Sequence, residues 1–140
     1  MPAKNQTQEL SLVETIGFSM WPSVRGKDRL VVEKSSIEAL RRGDIIVYLS
    51  DDKLICHRLI YKKRTNSGFI LHTRQDNAFS YLTERIPESC FRGRVSALIR
   101  NGKLIPTDAA AFRLSGWMII AVIPLYNQLL SRVRALLGEK

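Results

Sequence analysis

Residues 44–61 read DIIVYLSDDKLICHRLIY. Asp44 to Leu49 is a β-branched and aromatic run of the kind that packs on a pleated sheet. Ser50-Asp51-Asp52 is a turn cluster, and Lys53 to Tyr61 returns as the hairpin partner. On the returning strand, alternation places Ile55, His57 and Leu59 on one face. This stretch sets the expectation of a mostly-β domain.

Strand signals continue on both sides of it. Arg29–Glu33 (RLVVE) is a short strand, and Ile37 to Arg42 allows one or two helical turns closed by Gly43. Lys62–Ser67 (KKRTNS) reads as a basic, polar loop, and Gly68–His72 as a further strand. Phe91–Arg100 is a long strand, and Asn101-Gly102 is a type I′ hairpin signal into Lys103–Ile105. From about Ala109 the period becomes helical. The expected organisation is a polar N-terminal segment over 1–16, a β-domain over 17–107 and a C-terminal helical segment over 108–140.

With 140 residues, 45% of them hydrophobic, the chain has one domain's worth of core and excludes a large multidomain enzyme. Lys and Arg number 22 against 13 Asp and Glu, a net charge of +9. Such a balance attracts phosphates, nucleic acid or an anionic membrane face. Cys56 and Cys90 are too few for a disulfide framework, and two buried thiols are preferred to a bridge. With only His57 and His72 beside them, no metal site is expected, and no cofactor motif is present. Residues 1–14 lack the apolar core of a signal peptide, and no N-terminal anchor is expected. Leu114–Ser131 (LSGWMIIAVIPLYNQLLS) is uncharged, with Arg113 ahead and Arg132 and Arg134 behind. A span needs roughly 20 apolar residues. This run carries Pro124, Asn127 and Gln128, so it reads as a kinked span, an interfacial helix or a helix docked on the domain. Membrane contact is the preferred reading.

Gly17-Phe18-Ser19-Met20-Trp21-Pro22 is the first string with chemical interest. Pro22 pushes Trp21 toward extended backbone and Gly17 permits a tight turn, so Ser19 sits on a shaped loop. A loop Ser is ordinarily a turn residue. His57, between aliphatic neighbours on a strand, is ordinarily a satisfied core residue, yet imidazole is also the side chain best suited to deprotonate a hydroxyl near neutral pH. Asp76, in Thr73-Arg74-Gln75-Asp76-Asn77, is ordinarily a turn residue too. His72 is treated as structural. The Gly-Asp pairs in Arg25–Leu30 and Arg41–Ile46 read as turns before strands.

Taken together, Gly17–Pro22, the two Gly-Asp turns, the Asp44–Val47 strand, His57-Arg58-Leu59-Ile60, Thr73–Asn77 and Phe91–Val95 resemble the core of type I signal peptidases and their LexA-like relatives. The likeness runs from about Gly17 to Gly102, and its Ser-His branch fits best. It implies a β-domain of twisted antiparallel sheets and acyl transfer by a serine endopeptidase. In that resemblance Ser19 is the nucleophile and His57 the base. Asp76 orients the imidazolium, and Gly17, Met20 and Pro22 shape the oxyanion and substrate loop. Gln75 stands where the family carries Gly, and Glu84 is the acid nearest to its second acidic position, which makes Glu84 the alternative to Asp76 for orienting His57. The implied partner is a precursor peptide with small residues near the cut, bound as an extended strand. Membrane association through 114–131 is expected. The other-class alternative is a non-catalytic basic module using Lys62-Lys63-Arg64 and Arg92/Arg94 on anionic lipid or nucleic acid. A solvated face or contact with anionic lipid is preferred to nucleic-acid binding there. A self-cleaving repressor domain ranks lower, because so short a segment before Gly17 leaves no room for a helix-turn-helix.

Overall fold

A computed structural model describes residues 10–15, 17 and 19–138. Residues 1–9 of the N-terminal segment, Ile16, Phe18 of the Gly17–Pro22 string and residues 139–140 lie outside the description. In chain order the elements are β1 (Leu10–Glu14), β2 (Arg29–Glu33), β3 (Ile45–Ser50), β4 (Lys53–Thr65), β5 (Gly68–Arg74), β6 (Glu84–Pro87), β7 (Phe91–Arg100), β8 (Lys103–Pro106) and α1 (Ala110–Leu136). The strands form one sheet ordered β1-β2-β7-β3-β4-β5-β6, with β8 also on β7. Every pairing is antiparallel, and the sheet curls into a half-barrel.

The β3–β4 hairpin closes with Ser50 opposite Lys53. Its loop is the pair Asp51-Asp52, with φ of 49° and 60°. That is the left-handed type I′ geometry, whose twist matches the strands it joins. Asn101-Gly102, with φ of 53° and 74°, repeats it between β7 and β8. β4 runs past Tyr61 to Thr65 and pairs β5 down to Thr65–Gly68. Lys62–Thr65 is therefore strand, not loop. Its cations are accommodated: Lys62 Nζ donates to the carbonyls of Ile37, Glu38 and Leu40, and Arg64 lies over the Phe69 ring. Residues 37–42 form tight turns instead of helix. β1, read from sequence as polar segment, pairs β2 across its whole length.

Both faces of the central sheet are covered. Ile45 and Val47 point into a cluster with Met20, Val24, Leu30 and Leu98. Ile46 and Tyr48, one step out of phase, join Leu40, Leu59, Leu71 and Ile86 on the other side. This is why residues 45–48 are continuously apolar instead of alternating. Each such side chain contributes about 1.5–3 kcal/mol by leaving water. Cys56 and Cys90 are free thiols, one beside each cluster.

α1 is the one helix among the described residues long and apolar enough to cross a membrane, by length and composition. It also docks. Gly116, Ile119, Ile120 and Pro124 are buried against the β-domain. Pro124 has no N–H for the carbonyl four residues earlier. That carbonyl, Ile120 O, instead accepts from Arg74 Nη2, and the adjacent Ala121 O accepts from the Tyr81 hydroxyl at 2.6 Å. Asn127 donates to Ala78 O at 2.6 Å and Gln128 to Phe79 O at 3.3 Å. The residues that interrupt the apolar run are thus the ones that hold the helix to the domain.

Candidate functional site

Ser19 opens a single turn closed by Val24 N–H donating to Met20 O at 2.9 Å. Gly17, two residues earlier, has φ of +97°, a conformation other residues adopt only with strain. The loop after β5 braces this turn, with Asn77 N–H donating to Ser19 O at 3.0 Å. Ser19, His57, Met20 and Gln75 all line one cavity of about 470 Å³. Val13 to Thr15, at and just beyond the end of β1, and Glu84, at the start of β6, line the same cavity. Ser19 and His57, matched from sequence, both line this cavity.

Asp76 is placed differently from the sequence expectation. Its carboxylate accepts from Arg58 Nε at 2.6 Å and Arg58 Nη2 at 2.7 Å, so both oxygens are engaged away from His57. Arg58 and Asp76 have side chains only 2% and 1% exposed. Burying a guanidinium requires partners for its donors. Arg58 finds them in Asp76, Gly43 O at 2.8 Å and Ser23 Oγ at 2.9 Å. Gly116 of α1 lets the group fit: a Cβ there would lie 2.6 Å from Arg58 Nη1. Asp76 thus ties the Ser19 turn, the strand bearing His57 and the helix into one network. Its effect on His57 is electrostatic only.

What touches His57 Nδ1 is Tyr48. The phenol oxygen lies 2.8 Å from Nδ1 and donates to Glu84 Oε2 at 3.1 Å. Glu84 itself is 3.7 Å from Nδ1. The pairing register explains the meeting: His57 faces Ile46 across the hairpin, so Tyr48 is its diagonal neighbour on the same face. Burial lowers the His57 pKa, against the opposing pull of Glu84 and then Asp76. Burial, chiefly, pushes the Tyr48 phenol up, so it stays protonated. The neighbouring Cys56 thiol is pushed up to about 12, first by burial and then by Asp76, which leaves it inert as a nucleophile. The sequence left Glu84 as the alternative to Asp76 for orienting His57, and it gave no sign of Tyr48 beyond its place in an apolar strand.

His72 is buried, with Nδ1 3.1 Å from Thr83 Oγ1 and its ring stacked on Tyr61. The Gly-Asp turns are scaffold: Asp28 and Asp44 accept from the N–H of Arg25 at 2.8 Å and of Arg41 at 2.7 Å. Of the basic cluster residues, Arg94 is paired with Glu33 and Asp108. Among the described residues, no three His, Cys, Asp or Glu side chains gather as metal ligands. No protein-family model, no curated protein and no solved structure matches the chain.

Proposed function

We propose that the protein is a serine endopeptidase of the signal-peptidase kind, with Ser19 as nucleophile and His57 as general base. The observation that carries this reading is that both residues line one cavity. Ser19 Oγ attacks the scissile carbonyl while His57 takes its proton. The tetrahedral intermediate collapses to an acyl-enzyme as His57 returns the proton to the leaving amine, and water then repeats the sequence. The Ser19 backbone N–H is the first oxyanion donor. Burial favours the neutral imidazole, the form a base requires.

The peptide lies as an added strand beside β1. That strand pairs β2 alone among the described residues, and its Val13 and Glu14 reach the cavity rim. Met20, Val24 and Leu30 give the cavity an apolar wall, which accepts a small uncharged side chain and penalises a charged one. The enzyme works at a membrane surface through α1. Opposite the docked face, Leu114, Met118, Val122, Leu125, Leu129 and Val133 form an exposed apolar stripe. Its spacing of four, four, three, four and four residues keeps it on one side of the helix. Because the docking bonds run along the middle of α1, the helix lies on the bilayer with the β-domain above it.

Labelling with a serine-directed fluorophosphonate, read by peptide mass spectrometry, tests the assignment. The adduct is expected on Ser19, absent in Ser19→Ala and strongly reduced in His57→Ala. Wild-type protein that takes no label at Ser19, or a Ser19→Ala protein that cleaves peptide at the wild-type rate, overturns it.

A further inference from the structure

The remaining question at this site is which proton His57 carries, and the hydrogen bonds around Tyr48 answer it. A phenol has one proton to give and an oxygen that accepts. Glu84, as a carboxylate, only accepts. Tyr48 lies 3.1 Å from Glu84 Oε2 and 2.8 Å from His57 Nδ1, so its proton can serve one of them. Were the phenol to donate to Nδ1, its oxygen lone pairs would face the Glu84 carboxylate with no hydrogen between them. With the phenol proton on Glu84, the oxygen is free to accept, and Nδ1 must be the donor. Asp76 cannot serve in place of this chain, because Arg58 holds both its oxygens.

We infer that Tyr48 is a positioning residue: held by Glu84, it accepts a hydrogen bond from His57 Nδ1–H, fixing the imidazole in the tautomer whose Nε2 lone pair is free to act as base. The catalytic meaning of this arrangement rests on the peptidase reading, whereas the tautomer itself does not. As His57 takes the Ser19 proton on Nε2, both ring nitrogens become donors and the ring gains a positive charge. That charge then sits against the Tyr48 oxygen, with the Glu84 carboxylate 3.7 Å from Nδ1. The acid therefore acts mainly through the phenol, which takes the place that a directly bonded carboxylate occupies in the familiar triad. The position of Glu84 explains why the phenol is needed: its side chain is 56% exposed at the cavity rim, whereas that of His57 is 6% exposed. The buried Tyr48 bridges the two depths.

Nitrogen-15 NMR of the imidazole in the full-length protein, at mildly alkaline pH, reads the tautomer directly. The chain has only two histidines, so a His72→Gln variant assigns the signals. Wild-type protein is expected to carry the proton on Nδ1. Tyr48→Phe, which keeps the ring and removes the hydroxyl, should shift the population toward Nε2–H, and Glu84→Gln should shift it less. Tyr48→Phe should also lower kcat by about 10- to 100-fold with KM nearly unchanged, less than the loss on removing the base. Wild-type His57 protonated on Nε2 overturns the inference, as does a Tyr48→Phe protein with an unchanged tautomer. Should the tautomer shift as expected while Ser19 takes no label, the peptidase reading falls and the tautomer assignment stands.

Discussion

At the scale of single residues, two acids near His57 have separate work. Asp76 is half of a buried ion pair, and a partner removed from such a pair leaves a charge uncompensated at a cost of about 3–5 kcal/mol. Asp76→Asn should therefore lower stability by that order in chemical denaturation, with loss of activity following from the displaced Ser19 turn. Glu84 is largely exposed, so Glu84→Gln should change stability by no more than about 1 kcal/mol and show itself in kcat instead. His57 adds a pH signature. An ordinary imidazole titrates near 6.5, and burial holds this one lower. The protonated ring cannot act as a base, so the fall of kcat/KM with pH should have its midpoint below 6.5. Stability carries the same sign. Between the ordinary value and the lowered one, the unfolded chain binds a proton that the folded chain does not. Stability present above pH 6.5 is therefore lost as pH falls through that window. His72, lowered by burial and then by Arg85 and Lys63, adds to it. Thermal melts at pH 7.5 and pH 5.5 check the direction.

At the scale of elements, the junction of α1 with the sheet rests on a helix defect. Pro124 leaves the Ile120 carbonyl without its helical donor, and Arg74 fills the vacancy while stacking on Tyr81 at 5.2 Å. Arg74→Met should strand that buried carbonyl, at about 1–3 kcal/mol. The expected readout is faster amide exchange across residues 116–128, with the β3–β4 hairpin unaffected. Gly116 is the other tight point. Its added Cβ would press on a guanidinium pinned by four hydrogen bonds, so Gly116→Ala should cost about 1–3 kcal/mol in denaturant unfolding even though Ala favours helix. A stabilised Gly116→Ala protein would mean that the helix does not sit on Arg58.

At the scale of the whole molecule, α1 is apolar on two opposite sides. One is covered by the β-domain, and the other is open along Leu114 to Val133. Phe79 and Leu82, 69% and 83% exposed on the loop that α1 holds, extend the open surface. Together with a net charge of +9, this suits an anionic bilayer face. Met118→Asp combined with Leu125→Asp should abolish co-flotation with anionic vesicles while leaving the thermal transition within a few degrees of wild type. Binding of the wild type should weaken on neutral vesicles and at high salt. Equal flotation of the double variant and the wild type would remove α1 from the interface.

By itself the sequence determined the mostly-β class, the turn within Ser50–Asp52, the two-residue hairpin at Asn101-Gly102, and the C-terminal helix. All of these follow from local rules: apolar runs, turn residues at positive φ and a change of period. It also singled out Ser19 and His57, which line one cavity. It misread Lys62–Thr65 and β1, because polar or outward-facing edge segments carry no burial signal and take their structure from the partner strand. It preferred Asp76 to Glu84 as the partner of His57, and it left the run carrying Pro124, Asn127 and Gln128 open between a kinked span, an interfacial helix and a docked helix. Only the tertiary structure decided those points. Whether a carboxylate meets an imidazole or a guanidinium, and whether a proline's orphaned carbonyl finds an arginine, depends on groups tens of residues apart in sequence. Sheet register and helix docking bring those groups within 3 Å, and no local pattern encodes that distance.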